Sequence, residues 1–186
     1  MKIGFIGLGI MGKPMVHNLL KAGYTDLLVW NRSQKAIDIC VGYGAKAASL
    51  REIGENCELV FTMLPNSPQV KELMLGENGV ANFLKPGAIY VDCSSINPVA
   101  SKEIAAVLAE KGVEMLDAPV SGGDSGARNA TLSIMVGGDE ADFAEAMPLF
   151  ECMGKNIILM GPAGSGQHTK AANQIAVAGA TAAYTE

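Results

Sequence analysis

Several groups of residues in this chain have the types and spacing to do chemistry. The first is Gly7-x-Gly9-x-x-Gly12, with Leu8, Ile10 and Met11 at the variable positions. It follows a short apolar run (Ile3, Phe5, Ile6) and precedes a segment where Met15, Val16, Leu19 and Leu20 recur at helical spacing until Gly23. Strand, tight turn and helix N-terminus in that order gather free backbone N–H groups and the positive end of a helix dipole, which attract a pyrophosphate. Gly7 permits the turn, Gly9 lets phosphate approach the backbone, and Gly12 lets the helix pack against the strand. In a chain with 22 glycines the triplet alone says little. Its place between a strand pattern and a helix pattern makes it specific.

The second group is Asn31-Arg32-Ser33, about 20 residues past the turn, where the end of the next strand meets an adenosine ribose. A carboxylate there would bond the 2′-hydroxyl and select NAD. The chain offers instead one guanidinium and two short hydrogen-bonding side chains. Arg makes bidentate, charge-assisted bonds to phosphate, so the stretch favours the 2′-phosphate of NADP and leaves NAD open. Ser33 also reads as the cap of a following helix. Met63-Leu64-Pro65 ends a continuous apolar strand and is expected to pack on the cofactor. Ser94 and Ser95, at the end of another strand, read equally as ligands of nicotinamide, ribose or substrate and as the start of a helix. Ser121-Gly122-Gly123 closes a later strand and could form a concave set of N–H groups suited to a carboxylate. Lys170 falls in the first turns of the last helix, where the dipole disfavours a cation, which points to a role other than stability. Asn173 and Gln174 share its helix face at i+3 and i+4.

The elements that must position these residues follow from periodicity. Strands are expected at Asp26–Trp30, Ala45–Ala48, Glu58–Leu64, Ala88–Asp92, Val113–Val120, Thr131–Val136 and Ile157–Met160, separated by helical or turn segments. Continuous apolar strands fit a parallel sheet buried on both faces. The alternation of strand and helix predicts an α/β, Rossmann-like, doubly wound and mostly parallel sheet. Ser49 is expected to cap a small helix and Pro68 to occupy the first turn of another. Ser121 to Gly126 reads as a loop, as does Gly161 to Gly166, with the last helix running from His168 to Tyr184. Past Gln174 that helix is almost wholly small and apolar, which predicts that a partner chain or a following domain covers it. The expected organisation is a dinucleotide-binding domain over residues 1–163 and the beginning of an interdomain helix over residues 164–186.

Composition narrows the function classes. The 186 residues are 49% hydrophobic, with a net charge of -5 and no basic run, which argues against nucleic acid or an anionic membrane as partner. No apolar stretch reaches the ~20 residues a membrane helix needs, and Met1-Lys2 leads directly into the first core strand. Cys40, Cys57, Cys93 and Cys152 lie far apart and only His17 and His168 accompany them, so no metal site is expected. Reduced, buried thiols and a cytoplasmic location are the expectation.

Taken together, these residues resemble the β-hydroxyacid dehydrogenase family, whose members include 3-hydroxyisobutyrate dehydrogenase and tartronate semialdehyde reductase. The resemblance rests on Gly4 to Gly12, Met63-Leu64-Pro65, Asp117-Ala118-Pro119-Val120-Ser121-Gly122-Gly123, and Gly164-x-Gly166-x-x-x-Lys170-x-x-Asn173-Gln174. It implies hydride transfer between NAD(P) and a small β-hydroxyacid or semialdehyde acid, with Lys170 as general acid/base. It implies a substrate carboxylate held by Ser121, Gly122 and Gly123, a substrate oriented by Asn173 and Gln174, and Ser95 near the nicotinamide. A free lysine titrates near ~10.4, so this role needs burial or nearby positive charge to lower its pKa. Ala130 stands where many members have glycine. Members also continue into an all-helical domain that closes the site and mediates dimerisation; the 186 residues end before it, so a homo-oligomer is expected of the full-length form. The alternative is a dinucleotide-binding fragment or module without turnover.

Overall fold

The computed structural model describes residues 1–185. The chain begins β1 (Ile3–Ile6), α1 (Gly12–Lys21), β2 (Leu27–Trp30), α2 (Gln34–Gly42), β3 (Lys46–Ala47), α3 (Leu50–Asn56), β4 (Leu59–Thr62) and α4 (Ser67–Leu75). A 3-10 turn at Val80–Asn82 leads to β5 (Ile89–Asp92), α5 (Pro98–Ala109), β6 (Glu114–Asp117), β7 (Val120–Ser121) and α6 (Gly123–Arg128). β8 (Leu132–Gly137), α7 (Glu140–Glu151), β9 (Gly154–Gly161) and α8 (Ser165–Thr185) complete it. The strand order is β3-β2-β1-β4-β5-β6-β8-β7, with β9 paired to β8. Pairing is parallel from β3 through β6, antiparallel where β8 meets β6 and β7, and parallel again between β8 and β9. This is the doubly wound α/β sheet that the strand–helix alternation predicts. The chain runs outward from β1 to β2 and β3, then returns to the other side of β1 as β4. That reversal opens a crevice above the carboxyl ends of β1 and its neighbours, where open α/β sheets bind ligands.

Both faces of the sheet are apolar because both are covered. Phe5, Phe61, Val91 and Leu116 pack with Met15, Leu19 and Phe150 of the helices on one face. Ile6, Val60, Tyr90 and Met115 pack with Ile53, Val70 and Ile104 on the other. The Phe5 and Phe61 rings stack with centroids 5.7 Å apart; fully burying each side chain stabilises the fold by about 2 kcal/mol. On the second face the last residues of three strands turn polar in register. Thr62 pairs across to Asp92, and Asp92 to Asp117.

Local chemistry explains several boundaries. Ser49 accepts from the Glu52 N–H while Glu52 Oε2 accepts from the Ser49 N–H at 2.7 Å, a reciprocal capping box on α3. Pro68 sits in the first turn of α4, capped by Asn66. The expected strand Val113–Val120 is broken into β6 and β7. Ala118 still donates to Asp92 O on β5, but the carbonyl of Pro119 accepts from Met135 on β8, so pairing switches partner around a residue that has no N–H to give. Gly123 to Arg128, expected within or just beyond a loop, forms α6, with an Arg128–Asp124 ion pair at i,i+4. Ala130 has φ 54, a left-handed conformation that glycine adopts without the Cβ penalty. The last helix starts at Ser165, earlier than expected. Its outer turns are exposed among the described residues, with Ile175 75% and Tyr184 93% accessible in this chain by itself. No helix of the described residues is long and apolar enough to cross a membrane.

Candidate cofactor and active site

The three glycines of the turn meet three different surroundings. Gly7 has φ 99, and a Cβ there would strike the Met63 carbonyl. A Cβ at Gly12 would strike the Gly7 carbonyl oxygen, so the strand and helix close on each other only because that position is bare. At Gly9 a Cβ would find nothing within 4 Å. The protein does not require glycine at that position for packing, which leaves room for an approaching group. Among the described residues no side chain caps α1, and its first turn holds no acidic residue, so the dipole faces the cleft uncompensated, as an anion site requires. The residues present therefore fit a dinucleotide pyrophosphate.

A cleft of about 890 Å³ opens there. Of the residues expected to hold a cofactor, Gly7, Gly9, Ile10, Met11, Asn31, Arg32, Met63, Leu64 and Pro65 line it. Leu8 and Gly12 are buried behind the turn, and Ser33 and Ser95 are exposed outside the lining. Asn31 is committed to the turn: its Oδ1 accepts from the Leu8 N–H at 3.1 Å. Arg32 is exposed at the rim and has no ion-pair partner among the described residues. Ser33 stands at the N-cap position of α2, but its hydroxyl makes no cap bond.

The two serines after β5 part ways. Ser94 is fully buried; its Oγ accepts from the Leu64 N–H at 2.8 Å, and its carbonyl accepts from Gln167 Nε2 at 2.7 Å. It holds the β4 and β5 loops to α8. Neither serine caps α5, because Asn97 does so by accepting from Val99 at 2.8 Å. Gln167 also accepts from the Ile96 N–H at 3.0 Å, which pins α8 to the β5 loop at two points.

Asp117, at the end of β6, anchors the same helix. Its Oδ1 accepts from the Gly164 N–H at 2.6 Å and its Oδ2 from the Gln167 N–H at 2.8 Å. A carboxylate from a distant strand thus caps α8. Burial drives its pKa up to about 6, against the backbone bonds that favour the charged form. Asp92 beside it is also pushed to about 6 by burial. Thr62 Oγ1 donates to Asp92 Oδ1 at 2.8 Å, and the Tyr90 hydroxyl lies 2.7 Å from Thr62 Oγ1.

Lys170 lies one turn beyond Gln167, only 9% exposed, and makes no hydrogen bond or ion pair among the described residues. Burial lowers its pKa from the usual lysine value. Asn173 is half-buried and donates to the exposed Gln174 Oε1 at 3.1 Å. Ser121 ends β7, and Gly122 and Gly123 follow with φ 133 and 61, conformations that favour glycine. Both groups hang from the end of β6: Asp117 caps α8, and Ser121 follows four residues later. None of Ser121, Gly122, Gly123, Lys170, Asn173 or Gln174 lines the dinucleotide cleft itself. The cysteines are poor nucleophiles, since burial pushes Cys40 to about 11, Cys57 to about 12 and Cys93 higher still. Sequence reasoning missed Gln69 and Glu72 on the cleft wall and the anchoring role of Gln167. Their only sequence signal was position in the helices that follow strand ends.

A switch-point cleft over a glycine turn defines a dinucleotide-binding α/β domain. The chain belongs to the family described as the NAD binding domain of 6-phosphogluconate dehydrogenase, whose profile matches residues 2–161. It is 49% identical over 178 residues to 2-hydroxy-3-oxopropionate reductase of Escherichia coli (strain K12), covering 96% of this chain and 61% of that protein. It is 47% identical over 173 residues to an NAD-dependent L-serine dehydrogenase of Pseudomonas aeruginosa, covering 92% and 58%. Among solved structures it superposes on Mycobacterium tuberculosis 3-hydroxyisobutyrate dehydrogenase with L-serine at a TM-score of 0.90 and 36% identity, covering 95% of this chain and 60% of that one. The chain thus spans about three fifths of the length of these relatives.

Proposed function

We propose that this chain forms the dinucleotide-binding part of an NAD(P)-dependent oxidoreductase of small β-hydroxyacids and semialdehyde acids, with Lys170 as general acid/base. The observation that carries the reading is Lys170. A lysine held in the interior without a partner carries an energetic cost, and its lowered pKa is what proton transfer near neutral pH requires. The bound nicotinamide supplies or accepts the hydride. In the reducing direction Lys170 Nζ gives a proton to the substrate oxygen as the carbonyl becomes an alcohol; in oxidation it takes that proton back. Ser121 and the Gly122 and Gly123 backbone receive the substrate carboxylate, while Asn173 and Gln174 orient the substrate. Ser95, exposed on the β5 rim, faces the nicotinamide half. The glycine turn holds the pyrophosphate, and Met63, Leu64 and Pro65 form the wall against which the cofactor packs. Arg32 and Ser33 take the 2′-phosphate of NADP, which makes NADP the preferred cofactor over NAD. The substrates are of the kind named in the relatives, 2-hydroxy-3-oxopropionate and 3-hydroxyisobutyrate.

The test follows NADPH and NADH oxidation with 2-hydroxy-3-oxopropionate, using this chain and a form extended to the length of its relatives. Turnover is expected in the extended form, and Lys170→Ala is expected to abolish it while cofactor affinity stays within twofold. Retained turnover in Lys170→Ala sinks the assignment of the acid/base.

A further inference from the structure

We propose that a second concave site, on the helical face between α1, α2 and α6, binds a small anion through its phosphate group. A cavity of about 170 Å³ opens there, lined by Lys13, Pro14, His17, Asn18, Tyr43 and Arg128. It shares no lining residue with the dinucleotide cleft. Its volume is some tenfold what one water needs, and far below the 890 Å³ of that cleft, so its ligand is a small molecule.

The charge of the lining runs against that of the chain. The protein carries a net charge of -5, yet Lys13, Arg128 and the His17 imidazole line this cavity and no carboxylate does. Lys13 stands in the first turn of α1, where the dipole disfavours a cation, and forms no ion pair among the described residues. An anion in the cavity offsets that cost. His17, four residues on, shares the same face of the helix.

The donors are held in place from three helices. His17 stacks on Tyr43 with ring centroids 4.4 Å apart, which fixes the imidazole between α1 and the end of α2. Asn18 Nδ2 donates to the Ala127 carbonyl at 2.7 Å and so joins α1 to α6 beside Arg128. Arg128 Nε donates to Asp124 Oδ2 at 2.8 Å, which steadies the guanidinium and leaves its terminal NH2 groups without a bond to protein among the described residues. Asp124 is the acid nearest the site, and it does not line the cavity. A guanidinium bonds two oxygens of one phosphate, and an ammonium adds a point charge beside a third. A phosphate monoester has three free oxygens for these donors, whereas a carboxylate has two. A ligand gripping Lys13 and Arg128 joins the helix that follows the glycine turn to the helix that follows Ser121-Gly122.

The experiment follows the ring Cε1–H signals of His17 and His168 by NMR on this chain at fixed pH. Inorganic phosphate or glycerol 3-phosphate is added at constant ionic strength, with sodium chloride as the reference, and His17→Gln assigns the signals. The His17 signal is expected to shift saturably, with half-saturation on the order of 1 mM or below. Arg128→Gln and Lys13→Gln are each expected to raise that concentration about tenfold, through loss of a charge-assisted contact. Their thermal midpoints should stay within about 2 °C of the natural chain, since both side chains are at the surface. Saturation by inorganic phosphate alone supports the site with the free ion as ligand; tighter saturation by glycerol 3-phosphate supports it with a phosphomonoester as ligand. A His17 signal that moves no further than in chloride, or saturation that is unchanged in either variant, overturns the proposal. Phosphate drawn to the glycine turn instead gives the second of these results, because Arg128 has no part in that turn.

Discussion

Replacing Asp117 with Asn tests whether one buried carboxylate ties α8 to the sheet. In the native chain its two oxygens accept from Gly164 and Gln167 at 2.6 and 2.8 Å. An asparagine keeps the shape but only one acceptor, and its NH2 group then faces a buried N–H. One unsatisfied buried donor costs roughly 1–3 kcal/mol, which sets the expected loss at pH 7.5. The pH dependence supplies a second, independent magnitude. Burial raises the folded pKa from the ordinary aspartate value of 3.8 to about 6, so between those values the folded state binds more protons than the unfolded state. The carboxyl's stabilisation is therefore complete below the unfolded pKa and is lost as pH rises through about 6. Between pH 7.5 and 5.0 the native chain gains on the order of 1 kcal/mol from this group alone, a share that Asp117→Asn lacks. Urea unfolding at the two pH values measures both quantities. The gap between native chain and variant should widen by on the order of 1 kcal/mol at pH 5.0. A gap equal at both pH values would refute the reasoning, since it would mean that Asp117 does not titrate in this window.

The glycine turn yields a paired prediction. Gly12→Ala places a methyl against the Gly7 carbonyl and should destabilise the fold by about 2 kcal/mol or more. Gly9→Ala meets no protein atom within 4 Å, so urea unfolding should change by less than about 0.5 kcal/mol, while calorimetry should show dinucleotide affinity falling at least about tenfold. Arg32→Ala is expected to weaken NADP+ about tenfold or more, through loss of a charge-assisted contact, and NAD+ by less than about twofold. Equal effects on the two cofactors would remove Arg32 from the 2′-phosphate.

What was legible in the sequence was local. The capping box needs only Ser49 and Glu52, three positions apart, and the glycine turn needs only a strand before it and a helix after it. Both could be read because the interacting groups are neighbours along the chain. Asp117 is different: its hydrogen-bond partners are 47 and 50 residues away, and no periodicity reports a cap supplied by another strand. Ser94 and Ser95 could not be separated for a related reason. Which of two adjacent serines turns inward depends on the register of β5 against β4, and the structure turns Ser94 in. The break between β6 and β7 was signalled by Pro119 but obscured by the apolar residues around it. The row formed by Thr62, Asp92 and Asp117 draws on three strands and exists only once their register is set.

The anchoring of α8 also has a mechanical side. Its 21 residues make a rod of about 32 Å at 1.5 Å per residue, gripped over its first few residues by Asp117, Ser94 and the β5 loop. The outer ~20 Å stands clear, so the rod is a cantilever whose clamp lies in the sheet. A tilt of about 5° at the clamp displaces the far end by about 2 Å. In reverse, a load on Tyr184 is delivered to β5 and β6, next to the buried Lys170. The clamp at Gly164 and Gln167 lies one helical turn from Lys170, so motion of the outer turns is pivoted beside the lysine rather than at the free end.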